Sequence, residues 1–119
     1  MGFADEPREV KASEWGLQRM DGLSITRHGS ETAGEYRAHV EGSPHIGRLT
    51  WVQHGPEHNR VRAAEHTLVP PELGGRGIAG KLVDALIADA REQCFKVKPV
   101  CSYVAKAFEK HPEWGDIKA

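Results

Sequence analysis

The stretch Thr67-Leu68-Val69-Pro70-Pro71-Glu72-Leu73-Gly74-Gly75-Arg76-Gly77-Ile78-Ala79-Gly80-Lys81-Leu82 decides how this chain is read. It passes from an extended segment, through two prolines and a glycine-dense loop, into a helix. Pro70 and Pro71 have no N–H to give a sheet ladder, so a strand ends before them. Beyond Gly77, the residues Ile78, Leu82, Leu86 and Ala90 recur every four positions, flanked by Ala79, Val83 and Ile87. That is the apolar stripe of a helix, with Lys81, Asp84, Arg91 and Glu92 on its solvent side. The spacing predicts a helix from Ile78 to about Gln93.

Working outward, Phe95 to Cys101 reads as a strand with Phe95, Val97, Pro99 and Cys101 on one face. Pro99 marks a strand end, bulge or edge there. Tyr103 to Lys110 reads as a short helix stopped by His111-Pro112. On the other side, four short extended segments precede the loop: Leu23–Arg27, Glu35–Val40, Ile46–Gln53 and Arg60–Val69. Turn-forming residues separate them, as in an antiparallel meander. A strand, a helix and a strand in succession form a right-handed crossover with parallel strands. The fourth and fifth strands are therefore expected to run parallel. The fold class is α+β (α/β), with one mixed sheet, one long helix and a short C-terminal helix.

The chain has 119 residues, enough for a single domain with one modest core. Residues 1–20 read as a flexible polar extension, with Trp15 as a docking anchor, and residues 21–119 as the domain. The net charge of −1 gives no field that favours nucleic acid or an anionic membrane. No apolar run is long enough to span a bilayer and the start has no signal-peptide core, so the expected location is cytoplasmic. Cys94 and Cys101 read as free thiols. His54 and His58 are four apart, but Gly55 and Pro56 between them argue against a helix, and no metal site is expected. Nothing in the sequence indicates an oligomeric state.

The loop is where chemistry enters. The first N–H groups of a helix have no intrahelical partner, and the macrodipole adds positive potential there. Gly74, Gly75, Gly77 and Gly80 lack side chains that would keep an anion from the backbone. Arg76 and Lys81 stand at the rim. On spacing alone, a phosphate cradle and a plain glycine-rich helix start are both open. The loop lacks the Gly-Lys-Ser/Thr ending of a P-loop. It also follows a fourth strand, where a dinucleotide fold would carry it after the first.

Three linked motifs then resemble the GNAT superfamily of N-acetyltransferases, and in particular a small single-domain subfamily with a Cys-x-Tyr motif. The segment His66-Thr67-Leu68-Val69-Pro70 is similar to the end of that family's fourth strand. Gly74-Gly75-Arg76-Gly77-Ile78-Ala79 resembles its Gln/Arg-x-x-Gly-x-Gly/Ala loop, with Gly74 in place of the usual Gln or Arg. Cys101-Ser102-Tyr103-Val104, followed by a short helix and His111-Pro112, completes the likeness over about residues 23–117. The resemblance implies a fourth and fifth strand splayed around a cleft for acetyl-CoA. Backbone groups of Leu68 and Val69 would pair with the pantetheine arm. Gly74, Gly75, Arg76, Gly77, Ile78, Ala79, Gly80 and Lys81 would hold the pyrophosphate.

Amine acylation needs a neutral amine, a polarised thioester and a proton for the departing thiolate. The resemblance implies a general base on the fourth strand, where Glu65 stands; a solvent-facing carboxylate is the alternative. Strand alternation would set Glu65 on one face with Thr67 and Val61, and the adjacent His66 on the other. His66 is read either as a base or as a structural hydrogen-bond partner. Cys101, at the end of the fifth strand, is either a nucleophile or proton shuttle, or a small buried thiol. The family's usual late-helix tyrosine is replaced here by Phe108 and Glu109, while Tyr103 lies earlier. The expected function is acetyl transfer from acetyl-CoA to an amine, on a small molecule or a protein lysine. The alternative is a CoA-binding module, a sensor or adaptor with little turnover.

Overall fold

The computed structural model describes residues 8–9, 22–56, 59–74 and 77–119. One sheet of six strands runs in the order β1 (Arg8–Glu9), β2 (Leu23–Gly29), β3 (Ala33–Val40), β4 (Ile46–His54), β5 (Val61–Leu68) and β6 (Lys96–Pro99). Neighbouring pairs are antiparallel except β5 and β6, which are parallel. Helix α1 (Ile78–Gln93) makes the crossover between them, and α2 (Ser102–Lys110) follows β6. The meander, the parallel pair and both helices stand where the sequence puts them. The expected extension over residues 1–20 lies outside the described residues, apart from the short edge strand β1.

Several strand ends differ from the expected ones, and β5 stops at Leu68, one residue before Val69. The strands β2 and β3 run further, to a tight turn closed by the Ser30 N–H on the Ala33 carbonyl at 2.8 Å. The segment from Phe95 to Cys101 holds its ladder only from Lys96 to Pro99. Proline ends the pairing and Cys101 already serves as the N-cap of α2.

Helix α1 lies on one face of the sheet because its apolar stripe has a matching floor. Leu82, Val83, Leu86 and Ala90 are buried in one core with Ile25, Tyr36, Leu49 and Ala64 of the sheet. Each buried leucine contributes about 2 kcal/mol. Gly47 lets the helix start sit close: a Cβ there would be 3.1 Å from Ile78 Cγ2 and 3.5 Å from Leu82 Cδ1. That contact fixes the height of the helix N-terminus above the sheet. The second helix adds Val104 and Phe108 to the same core, and Trp114 meets Phe108 edge-on at 5.4 Å.

At the other end of α1 the core is polar. Asp89 is fully buried and accepts hydrogen bonds from Tyr36 Oη at 2.6 Å, Arg27 Nη1 at 2.9 Å and Arg62 Nη1 at 3.3 Å. The Arg62 guanidinium lies between the rings of Trp51 and Phe95, 3.8 and 4.1 Å from their centroids. Burial and the Asp89 charge push the Tyr36 hydroxyl well above its ordinary value, so it stays a donor. This network ties β2, β3 and β5 to the last turns of α1, remote from its N-terminus.

Candidate active site

The site begins where β5 loses its parallel neighbour. Their register runs from Val61 opposite Lys96 to Ala64 opposite Pro99 and stops. The N–H groups of Val100 and Cys101 both turn to the Ala64 carbonyl, at 3.1 and 2.8 Å. Beyond Ala64, β5 continues with β4 alone, through Leu68 opposite Arg48. Its outer edge from Glu65 to Leu68 therefore faces a gap. The splay expected from the resemblance opens at Ala64.

A bulge sits at the same point. Thr50 pairs with His66 and Trp51 with Ala64, so Glu65 is an extra residue in β5. An inserted residue bends its strand and raises the local twist, which helps carry β5 away from β6. It also resets the faces. Ala64 lies opposite Trp51 and Thr67 opposite Leu49, so these two residues share the helix-bearing face despite being three apart. Simple alternation, which grouped Thr67 with Val61, fails here: Val61 and Ala63 fall on the opposite face. His66, opposite Thr50, is exposed on that opposite face. Glu65 is half-buried and has no ion pair among the described residues.

The reset places Thr67 beside Cys101, whose thiol donates to Thr67 Oγ1 across 3.5 Å. Burial would raise the thiol pKa. The Thr67 hydroxyl and the backbone amides at Val104, Tyr103 and Thr67 outweigh it, and the pKa lies below the ordinary value. The sulfur makes no regular capping hydrogen bond, so the amides at the start of α2 act on it as oriented dipoles favouring the thiolate. Around this point Leu68, Val100 and Tyr103 expose 57%, 54% and 44% of their surfaces, the large apolar side chains most open to solvent among the described residues. They border the gap. A groove of about 700 Å³ lies between the end of β5 and the start of β4, lined by His45, Arg48, Thr67, Leu68 and Val69 among others.

The second half of the site is the start of α1. Gly77 is its N-cap, in the left-handed region at φ 71°. No side chain caps the helix and no acidic residue occupies its first turn. Ile78 is buried. Gly80 faces α2: a Cβ there would stand 3.7 Å from the Tyr103 hydroxyl. That hydroxyl therefore lies over the helix start. Gly74 is extended and closes the turn Pro71–Leu73 through its N–H to the Pro71 carbonyl at 3.0 Å. Leu73 is buried and anchors this turn. Gly75 and Arg76 lie outside the described residues. Lys81 is half-buried on the first turn of α1.

Thus the structure brings together Thr67, Cys101 and the opened edge of β5, and it sets Tyr103 beside Gly80. It separates His66 from them by the thickness of the sheet. Thr67 is the residue that sequence reasoning missed. Its role depends on a bulge that no local pattern announces. Among the described residues there is no cluster that could hold a metal ion, and no helix long and apolar enough to cross a membrane.

Comparison with known proteins agrees with this architecture. No curated protein matches the sequence. Among solved structures, a ribosomal-protein-alanine N-acetyltransferase from Brucella melitensis biovar Abortus 2308 is similar in fold, with a TM-score of 0.52 and 22% identity. The likeness covers 69% of this chain but only 62% of that one. Residues 35–117 match the family described as GCN5-related N-acetyl-transferase. That span takes in the meander from β3, the splayed strands, the glycine start of α1 and the Cys101 turn, and the chain belongs to the GCN5-related N-acetyl-transferase family.

Proposed function

We propose that the protein transfers an acetyl group from acetyl-CoA to an amine. The observation that carries this reading is the parting of β5 from β6 at Ala64, with Cys101 and Thr67 at the fork and the glycine-capped start of α1 nearby. The free edge at the end of β5, Leu68 and the following Val69, suits an amide-bearing arm that adds as a strand. The first-turn amides after Gly77 suit a diphosphate. Acetyl-CoA supplies a thioester, an acyl group already activated toward nucleophiles.

The acceptor nitrogen must arrive neutral. Glu65, half-buried and without an ion pair among the described residues, is the base that takes its proton, directly or through one water. Cys101 offers a second route. Its thiolate attacks the acyl carbonyl, forming a thioester on Cys101 while the donor's sulfur leaves and takes a proton. The amine then attacks that thioester, and the Cys101 sulfur is released. Mass spectrometry after exposure to acetyl-CoA separates the routes. An added acetyl group on Cys101, removed by an amine, supports the second.

Phe108 favours a second reading. It is buried in the core against Trp114, so the late part of α2, where the family's usual tyrosine stands, offers no phenol to protonate a leaving thiolate. A binding module with little turnover would have this feature. Titration with acetyl-CoA followed by an amine screen decides. Binding with amine-dependent release of CoA supports the enzyme, and binding without release across the screen supports the module. Unmoved amide signals at Leu68, Val69 and Gly77–Lys81 with millimolar acetyl-CoA would overturn both.

A further inference from the structure

A third feature continues the line from the fork through the helix start. Between α1 and α2 runs a groove of about 360 Å³. On α2 its wall is the stripe Tyr103, Lys106, Ala107 and Lys110, spaced i, i+3, i+4, i+7. On α1 it is Gly80, Val83 and Asp84. His111 and Trp114 close the far end, their rings stacked at 4.1 Å. Gly80 belongs to both the helix start and this groove, so the two are continuous.

Lys106 and Lys110 are exposed, and neither makes an ion pair or hydrogen bond among the described residues. Most other basic side chains near the core are engaged: Arg27 and Arg62 with Asp89, Arg91 with Asp116. Among the described residues, Asp84 is the one carboxylate lining the groove. Two ammonium groups one helical turn apart can bracket a phosphate monoester. The volume lies in the range of small-ligand sites.

We infer that Lys106 and Lys110 bind the 3′-phosphate of the donor's adenosine end, and so select CoA thioesters over donors that lack this phosphate. This rests on the acetyl-CoA reading above. With the thioester at the fork and the diphosphate at Gly77–Gly80, the phosphorylated ribose beyond the diphosphate enters this groove. Tyr103, above Gly80, then contacts the donor between its two phosphorylated parts, away from the thiolate.

The test compares CoA with dephospho-CoA by calorimetry. The wild-type protein is expected to bind CoA roughly tenfold more tightly, as for a charge-assisted contact at a partly exposed site. The variant Lys106→Ala/Lys110→Ala should bind both ligands alike, with its dephospho-CoA affinity equal to that of the wild type. Lys106→Gln/Lys110→Gln keeps the long stems and the helix and should behave the same way. A wild-type protein with no preference overturns the inference, as does a preference that survives both double variants or an equal loss of both ligands in them. Failure of the wild-type protein to bind either ligand overturns the acetyl-CoA reading itself, and this inference with it.

Discussion

Cys101 Sγ and Thr67 Oγ1 meet at 3.5 Å across the point where β5 and β6 separate. The thiol donates in its neutral form; in the thiolate form the hydroxyl must turn and donate instead. That second arrangement favours the charged state and contributes to the lowered thiol pKa. Thr67→Val keeps the shape and removes the donor, so the Cys101 pKa should rise and less thiolate should be present at neutral pH. The check is the pH profile of alkylation in a Cys94→Ser background, since Cys94 is exposed and would react as well. A profile that does not move toward higher pH in Thr67→Val refutes the coupling.

Gly77 separates backbone strain from charge. Its left-handed φ of 71° strains most side chains, but a Cβ there meets nothing within 4 Å. Asn and Asp both tolerate that region and have the same size. Gly77→Asn should keep CoA affinity within a few-fold. Gly77→Asp should weaken it by roughly tenfold or more, through a like charge at the anion site. Asp beside a helix N-terminus is itself favourable, so Gly77→Asp should not be the less stable of the two. Equal CoA affinity in the two variants would remove the diphosphate from this helix start.

Asp89, fully buried, pairs with two partly buried arginines, Arg27 and Arg62. Asp89→Ala should cost about 3–5 kcal/mol, the usual consequence of removing one partner from a buried ion-pair network. That is a large part of the stability of a domain this size. Arg62→Met should cost less, because a flexible apolar chain can fill the space between Trp51 and Phe95 while Arg27 and Tyr36 still satisfy Asp89. Urea unfolding measures both, and a milder effect in Asp89→Ala than in Arg62→Met would contradict this account.

Cys94 ends α1 in the left-handed region at φ 61°, where glycine is the usual residue. The N–H groups of Cys94 and Phe95 both reach the Ala90 carbonyl there. The side chain is exposed, so Cys94→Gly gives up little contact and relieves the strain. The expected gain is about 1 kcal/mol, seen as a higher melting temperature. CoA affinity should not change, because this cap is at the opposite end of α1 from Gly77.

Much of this molecule is written in local pattern. The four-residue recurrence from Ile78 to Ala90 gives α1, because a stripe that regular can be buried only as a helix. Pro70 and Pro71 end β5 by lacking a donor, and Gly77 starts the helix by accepting a positive φ. The strand–helix–strand order then leaves one hand of crossover and a parallel pair. The length of β6 was less legible. Phe95 to Cys101 alternates throughout, but Pro99 and the start of α2 take its last residues.

The sequence by itself determined the elements, their order and the glycine start of α1, since each follows from the chemistry of residues a few positions apart. Only the tertiary structure decided which side chains meet. The extra residue at Glu65 is visible only once β4 supplies the register. It turns Thr67 toward Cys101 and leaves His66 on the opposite face. The groove of Lys106 and Lys110 exists only because α2 folds back beside Gly80. Contacts between residues so far apart in the chain depend on how the strands and helices pack, and local periodicity carries no record of that.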